Sequence, residues 1–171
     1  SLPLQRALVD FGSDESFLDA TQKMREHYGV EVPLSAARHH TLTHAKAIGA
    51  LEHEAAPPAK VVITGMDGSL IPIVESGAGK DKRKDKTLGW KQANLCCARS
   101  ANAVECVYGA TMASVKMAGL TWREVALGAG LRSTSSVHAV ADGAEAIFNA
   151  FTEQFALEEG KAKFTVDFYH V

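Results

Sequence analysis

The chain has 171 residues, of which 46% are hydrophobic and 22% are charged. This length allows one ordinary domain, or a compact domain with a small helical appendage, and the composition excludes a disordered or fibrous protein. No stretch approaches the roughly 18 continuous apolar residues of a membrane helix, and the start has no basic segment leading into an apolar core, so we expect neither a membrane protein nor a secretory signal.

The cysteines and the net charge indicate a compartment and a class of partner. Cys96, Cys97 and Cys106 are an odd number of thiols in apolar surroundings. They favour buried thiols in a reducing compartment over a disulfide framework, and a cytoplasmic protein is the default expectation. The net charge of −2 argues mildly against a nucleic-acid partner, because domains that bind nucleic acids are usually basic.

Residues 2–54 have the pattern of an all-helical segment. Ser13, which is followed by two acidic residues, predicts a helix start, and Gly29 predicts the end of that helix. An apolar stripe with spacings of three and four runs between them. Its members are Phe17, Ala20, Met24 and Tyr28.

A second helix is predicted after an extended piece at residues 30–33, with Ser35 as its cap. Its inward-facing residues would be Ala37, Leu42, Ala45 and Ile48. Two helices with a short connection that contains glycine form the helix-turn-helix pattern, whose second helix reads base edges in the major groove. The candidate DNA-binding residues on that helix are Arg38, His39 and His40. Helical hairpins that bind nothing are common, so a structural role stays open.

Beyond this segment the apolar period changes to that of strands. Residues 55–59 include two prolines and predict a linker. Strands are then predicted over residues 60–66, 69–75, 90–99 and 104–111, with turns at residues 67–68 and 100–102. Pro72 cannot donate a hydrogen bond to a neighbouring strand, so its strand would lie at an edge or contain a bulge.

The last third of the chain alternates helices and strands. Thr121 and Glu124 form a capping box that predicts a helix start, and Gly130 predicts its end. A strand over 137–141, a helix over 144–155 and a final strand over 163–171 follow. Antiparallel strands followed by helix–strand–helix–strand predict an α/β fold with a mixed sheet covered by helices, since the connection before residue 137 is long enough to make strands parallel.

A basic run lies between the second and third predicted strands. It consists of Lys80, Lys82, Arg83, Lys84 and Lys86, diluted only by Asp81 and Asp85. Such a run fits a loop that lies along a phosphate backbone. A solvated loop that binds nothing is the more common case for such a run.

Two aspartates, Asp67 and Asp142, each follow an apolar strand and precede a glycine. Neighbouring strands could bring their carboxylates together, and Mg²⁺ prefers such oxygen ligands. Two such ions about 4 Å apart can activate an attacking oxygen and stabilise a leaving oxygen in phosphoryl transfer, although a third carboxylate is needed to fix them. Asp-Gly is also a strong turn signal, and Asp142 suits the cap of the next helix, so structural roles stay open for both.

Several segments resemble a family of bacterial insertion-sequence transposases. They are QRALVDFG at 5–12, HYGVEVPLSA at 27–36, MDGS at 66–69, KRK at 82–84, WKQA at 90–93, DGA at 142–144 and VDFYHV at 166–171. In this order and spacing they are similar to DDE transposases of the ISKra-type group, relatives of the Mutator superfamily. The resemblance covers nearly the whole chain.

The resemblance implies an RNase H-like core with an Asp-Asp-Glu triad that binds Mg²⁺ or Mn²⁺. Its partner would be double-stranded DNA at transposon ends, in a bacterial cytoplasm at the nucleoid, with self-association an open possibility and no membrane involved. By motif match Asp67 and Asp142 are the first two catalytic and metal-binding acids. The stretch from Asp167 to His170 matches the C/D-x-x-H signature of the family, which would make His170 a supporting group in the active site. A histidine at a strand end also commonly does no more than satisfy hydrogen bonds.

The departure from the family lies at the end of the sequence. The third acid should follow on a helix well past the fifth strand, and the sequence stops at Val171. The nearest glutamates precede the last predicted strand and fit a solvent-exposed helix face and loop. They are Glu145, Glu153, Glu158 and Glu159.

The expectation is therefore an incomplete RNase H-like core over residues 60–171, preceded by a linker and a DNA-binding segment over residues 1–54. We expect no strand transfer by this chain alone. The alternatives are a DNA-binding module whose core is only a scaffold, and a non-catalytic α/β domain that binds a protein or self-associates through an exposed sheet edge.

Overall fold

A computed structural model describes residues 1–50, 56–77, 86–155 and 160–167. These residues form five helices and five strands, which confirms the mixed α/β class. The chain divides into two compact units, Ser1–His53 and Glu54–Val171. No helix within the described ranges has the length and apolar character needed to span a membrane.

The first unit is a bundle of three helices. They are α1 (Leu2–Asp14), α2 (Phe17–Tyr28) and α3 (Leu34–Gly49), and they enclose a small core of Leu8, Met24 and Ala37. The predicted cap at Ser13 is wrong, because Ser13 lies inside α1 and the Ser16 hydroxyl accepts the hydrogen bond from the Asp19 amide at 3.2 Å. The predicted end of α2 is confirmed, since Gly29 has a φ of 65°, in the left-handed region that favours glycine.

Helix α3 packs through small residues. Its buried positions are Ala37 and Thr41, and Gly12 of α1 lies so close that a Cβ atom there would stand 2.3 Å from the Thr41 Oγ1. Three of the predicted inward residues are therefore wrong and are exposed. They are Leu42, Ala45 and Ile48. Ser35 is not the cap either, because α3 already begins at Leu34, after Pro33.

The second unit is a mixed sheet with two helices. Its strands are β1 (Val61–Ser76), β2 (Lys86–Ser100), β3 (Val107–Thr111), β4 (Ser136–Ala141) and β5 (Ala162–Val166). Their order is β3-β2-β1-β4-β5. The first three strands pair antiparallel, and β4 and β5 pair parallel to β1 and to each other. The helices α4 (Val115–Gly128) and α5 (Glu145–Gln154) connect β3 to β4 and β4 to β5.

One face of the sheet packs against α4 and α5. Alternate residues of β1, namely Val62, Thr64 and Met66, are buried there. Trp122 of α4 is fully buried against them and meets Phe155 edge-on, with ring centroids 5.3 Å apart. Because strand side chains alternate, the intervening residues of β1, including Asp67, lie on the opposite face.

The predicted turn at Asp67 and Gly68 is wrong. Strand β1 continues through both residues, because Asp67 pairs with Leu95 and Gly68 pairs with Asn94 in β2. The edge position predicted for Pro72 is confirmed, since the pairing of β1 with β4 covers only residues 61–64.

The last third of the chain follows the predictions closely, apart from two boundaries. Thr121 lies inside α4, whose true cap is Ser114, with its hydroxyl 3.4 Å from the Met117 amide. The positions of β4 and α5 agree with the predictions to within one residue at each end. The last strand starts as predicted but ends at Val166, and residues 168–171 lie outside the described part.

Candidate functional site

Asp67, Asp142 and Asp167 stand at one level of the sheet. In the parallel pairing of β1 with β4, Thr64 is opposite Ala139, an offset of 139 − 64 = 75, and Asp142 and Asp67 have the same offset, 142 − 67 = 75. Between β4 and β5 the offset is 166 − 141 = 25, and Asp167 and Asp142 repeat it, 167 − 142 = 25. The Asp167 amide donates to the Ala141 carbonyl at 2.8 Å, which continues that register. Neighbouring strands are about 4.8 Å apart, so this register, continued three residues past the last paired residues of β1 and β4, places the three residues in a row.

The three aspartates also share one face. Met66 is buried on the helix-covered face, so Asp67, the next residue of β1, is directed to the other face. There all three aspartates line a single cavity of about 230 Å³. The cavity is completed by Gly65, Met66, Leu95, Cys97, Tyr108, Val140 and Ala141.

Local backbone contacts orient two of the carboxylates. Asp67 Oδ1 accepts from the Gly68 amide at 2.8 Å, and Asp142 Oδ1 accepts from the Ala144 amide at 3.1 Å. Asp142 therefore bonds to the turn ahead of α5 but is not its N-cap, which is Ala144. An ionised carboxylate has about four lone-pair sites, so one such bond leaves acceptor capacity for a cation.

Gly65 allows β1 and β4 to approach closely at the cavity. A Cβ atom at this position would lie 2.8 Å from the Val140 carbonyl oxygen, which is closer than real Cβ contacts. The glycine therefore allows the close approach of β1 and β4 beside the cavity that Asp67 and Asp142 line. Its sequence signal is weak, because an isolated glycine in a strand indicates a bulge as readily as a close approach.

Two other titratable side chains line the cavity, Cys97 of β2 and Tyr108 of β3. Burial, followed by the neighbouring Cys106, raises the pKa of the Cys97 thiol. A hydrogen bond with Cys106 is the main cause that raises the pKa of the Tyr108 phenol. Both groups therefore stay protonated near neutral pH, so neither adds charge to the cavity.

The donor atoms match a hard divalent cation, but the set of ligands is incomplete. Carboxylate oxygens are the ligands that Mg²⁺ and Mn²⁺ prefer. Over the ranges that the structure describes, no group of three or more His, Cys, Asp or Glu side chains is arranged to hold a metal ion. The site therefore offers carboxylates of the right chemistry without a closed coordination shell.

The predicted DNA-binding residues of α3 do not all point the same way. Arg38 and His39 are exposed near the start of the helix. His40 is half-buried, and its Nδ1 lies 3.0 Å from the Gln5 Nε2 of α1. The surface available to a partner on this helix is therefore formed by Arg38 and His39 rather than by His40.

Several other predicted site residues lie outside the described ranges. They are Lys80, Lys82, Arg83, Lys84 and His170. Lys86 is described, as the exposed first residue of β2.

Asp167 is the site residue whose place the sequence did not reveal. The last predicted strand runs through Asp167 to residue 171, whereas β5 ends at Val166. The available signal was the repeated pattern of an apolar strand followed directly by aspartate, at Ala141-Asp142 and again at Val166-Asp167.

No protein-family model matches the sequence, and no curated protein matches it.

Proposed function

We propose that this chain is part of a DDE-type DNA transposase, with an RNase H-like catalytic core in the sheet unit and a DNA-binding helical unit before it. The observation that carries the proposal is the row of Asp67 and Asp142 at one level and on one face of the sheet. The order of antiparallel strands followed by two strand–helix–strand connections also supports the RNase H-like assignment.

Asp67 and Asp142 would hold the divalent ion of this core, with Asp167 beside them. A bound Mg²⁺ or Mn²⁺ supplies activation of the attacking oxygen and stabilisation of the leaving oxygen in DNA cleavage and strand transfer. The protein contributes the fixed register of β1 and β4 and the backbone bonds that orient the two carboxylates. Because the described residues lack a three-ligand group, we expect this chain alone to bind the ion weakly and to be inactive in strand transfer.

The helical unit would contact DNA through α3. This helix carries Arg38 and Lys46 as cations and has no carboxylate, although the chain as a whole is acidic. Helix α2, the connection at Gly29 and α3 follow one another as in a helix-turn-helix, in which the early residues of the second helix reach the base edges. Arg38 and His39 are the exposed residues in that position.

Titration with Mn²⁺ alone, followed by calorimetry or by the electron paramagnetic resonance signal of the free ion, tests the metal site. We expect weak binding that Asp67→Asn or Asp142→Asn abolishes. Asp14→Asn, the same chemical change in helix α1, is the matched control and should leave binding intact. Binding that survives both core substitutions, or that Asp14→Asn also removes, would contradict the site.

DNA binding is tested separately with a duplex probe at several salt concentrations. Each phosphate contact contributes roughly −0.9 to the slope of log K against log salt, so Arg38→Ala should weaken binding and make the slope shallower by about 1. Arg25→Ala, on the exposed side of α2, should change neither quantity. Equal effects of the two substitutions, or binding without salt dependence, would argue against α3 as the contact.

The lack of a three-ligand group in the described residues favours a second function. In that function the chain is a DNA-binding or protein-binding module, and its sheet unit is a scaffold without catalysis. The two functions differ in the metal experiment, because a scaffold has no reason to bind Mn²⁺ at Asp67. A supercoiled-plasmid nicking and end-joining assay with Mg²⁺ adds a direct check. Robust activity of this chain would overturn both the scaffold function and our expectation of inactivity.

A further inference from the structure

Strands β1 and β2 extend well past the rest of the sheet. They pair with each other from Ser69 and Ala93 to Ser76 and Lys86, whereas β4 pairs only with residues 61–64 of β1 and β3 only with residues 94–98 of β2. Residues 69–76 and 86–93 therefore form a two-stranded ribbon. At about 3.3 Å per residue the ribbon is roughly 26 Å long.

One face of the ribbon is apolar and uncovered. Leu70, Val74, Leu88 and Trp90 are 63%, 60%, 60% and 61% exposed. Pro72 is exposed between them and pairs with Trp90, and Val74 pairs with Leu88. These five side chains, which we name the apolar face, alternate along both strands and so lie on one side. A contiguous apolar patch of a few hundred Å² is often an interaction surface.

The charges of the ribbon argue against a nucleic acid or an anionic membrane as the partner of the apolar face. The apolar face has no charged residue from Gly68 to Ser76 on β1 or from Leu88 to Asn94 on β2, and Lys86 stands only at its far end. The opposite face of the ribbon carries the ion pair between Lys91 Nζ and Glu75 Oε1, 2.6 Å apart. Phosphate backbones and anionic lipid surfaces are bound through several cations, which the apolar face lacks.

A second copy of the same face meets no like charge across most of its length, and complete burial of both faces sets an upper limit on the area of the contact. Trp90 exposes on the order of 150 Å², and the four other side chains expose roughly 80–100 Å² each. The sum is about 500 Å² per copy, or about 1,000 Å² when two copies pair. That area reaches the lower bound for a specific interface and corresponds to a weak dimer.

We infer that the apolar face of the ribbon is the contact between two copies of this chain, which pair face to face about a twofold axis. In such an isologous contact each copy presents the same patch, so Trp90 of one copy packs among the aliphatic side chains of the other. The inference is independent of the proposed transposase function, because it rests on the ribbon alone.

Sedimentation velocity and light scattering on the full chain, from about 1 to 200 µM, test the contact. We expect a weak monomer–dimer equilibrium within this concentration range, since interfaces below about 1,200 Å² are typical of weak or transient complexes. Leu88→Lys places a charge within the contact and should weaken association at least a hundredfold. Thr87→Lys is the matched control: it adds the same charge one residue away, on the opposite face, and should leave the dimer intact.

Tryptophan emission gives a second readout, because Trp90 is exposed while Trp122 is buried in the core. Emission should shift to shorter wavelength as the protein concentration rises, and Trp90→Phe should remove that shift. The ribbon lies outside the core, so the circular dichroism and melting temperature of these variants should stay close to those of the parent chain. A monomer at all concentrations, a dimer that persists in Leu88→Lys, or equal disruption by Thr87→Lys would each overturn the inference. Association of Trp90 with duplex DNA in place of a second copy would also overturn it.

Discussion

Thr64 connects the strand that carries Asp67 to the helix that covers the sheet. Its hydroxyl accepts from Trp122 Nε1 at 2.6 Å and donates to the Cys97 carbonyl at 2.7 Å. The side chains of Thr64 and Trp122 are both buried, with 2% and 0% exposed. Thr64→Val keeps the shape of the side chain and leaves the indole N–H buried without a partner, which costs about 1–3 kcal/mol. We therefore expect Thr64→Val to reduce the free energy of unfolding of the sheet unit by about 2 kcal/mol.

Urea unfolding and thermal melting measure this effect. For a unit of this size, 1 kcal/mol corresponds to a melting-temperature change of about 3–5 °C, so Thr64→Val should melt about 6–10 °C lower. Thr64→Ser is the matched control, because it keeps the hydroxyl and loses only a methyl group, at about 1 kcal/mol. The effects of Thr64→Val and Trp122→Phe on the free energy of unfolding should not be additive in the double variant. Once Trp122 is replaced, Thr64→Val no longer leaves an indole N–H without a hydrogen-bond partner.

The result that refutes this reasoning is a Thr64→Val protein as stable as the parent chain, or no less stable than Thr64→Ser. Additive effects of Thr64→Val and Trp122→Phe would likewise show that the hydrogen bond contributes nothing of its own. Affinity for Mn²⁺ gives a functional check on the same variants. Thr64→Ser keeps the bond to α4 and should leave the register of β1, and with it metal binding, unchanged.

Three further predictions concern packing and reactivity. Gly65→Ala forces a methyl group against the Val140 carbonyl, so it should destabilise the sheet unit by roughly 2 kcal/mol or more and abolish Mn²⁺ binding. Gly89→Ala is the control and should be tolerated, because the nearest atom to the added methyl group is 4.0 Å away. Equal urea unfolding curves for the two variants would contradict this prediction. Burial raises the pKa of the Cys96 thiol to about 12, so at pH 8 it is protonated, and mass spectrometry after iodoacetamide treatment should find it alkylated only in denatured protein. Rapid labelling in the native chain would show that the thiol is accessible. Thr41 Oγ1 is buried with no hydrogen-bond partner in the described structure. Thr41→Val should therefore stabilise the helical unit by about 1 kcal/mol in urea unfolding. A clear loss of stability would mean that the hydroxyl does form a hydrogen bond in the folded protein.

The strands and helices of the sheet unit were largely predictable because their apolar periods are regular. Strand β1 is the exception. Asp67, Gly68 and Pro72 all predict the end of a strand, yet they lie inside one strand of 16 residues. Pairing with β2 continues across these positions and outweighs local preference. Strand propensity reflects packing on neighbouring strands more than an intrinsic tendency of the backbone, and that packing is invisible in a single segment.

The helical unit shows a different reason for failure. A hydrophobic pattern selects Leu42 and Ile48 of α3 as inward residues, but α1 and α3 approach so closely at Gly12 and Thr41 that small residues face the neighbour. Large apolar side chains are then left on the exposed side. Hydrophobicity alone ranks residues by size and polarity, and it cannot anticipate a close helix contact that favours small side chains such as those of glycine, alanine and threonine.

Asp167 could be placed only from the register of β4 and β5, and that register is set by the core. A slip of one residue along β5 would exchange its two faces. Phe164, whose ring packs 5.2 Å from that of Phe151, would then leave the helix-covered face, and Asp167 would enter it. The contact of Phe164 with Phe151 and the position of Asp167 therefore depend on the same register of β5. Phe164→Ala should thus disturb the cavity, although Phe164 does not line it. The carboxylate row depends on core packing at a distance, which is why motif spacing suggested two of its members and the fold was needed to place the third.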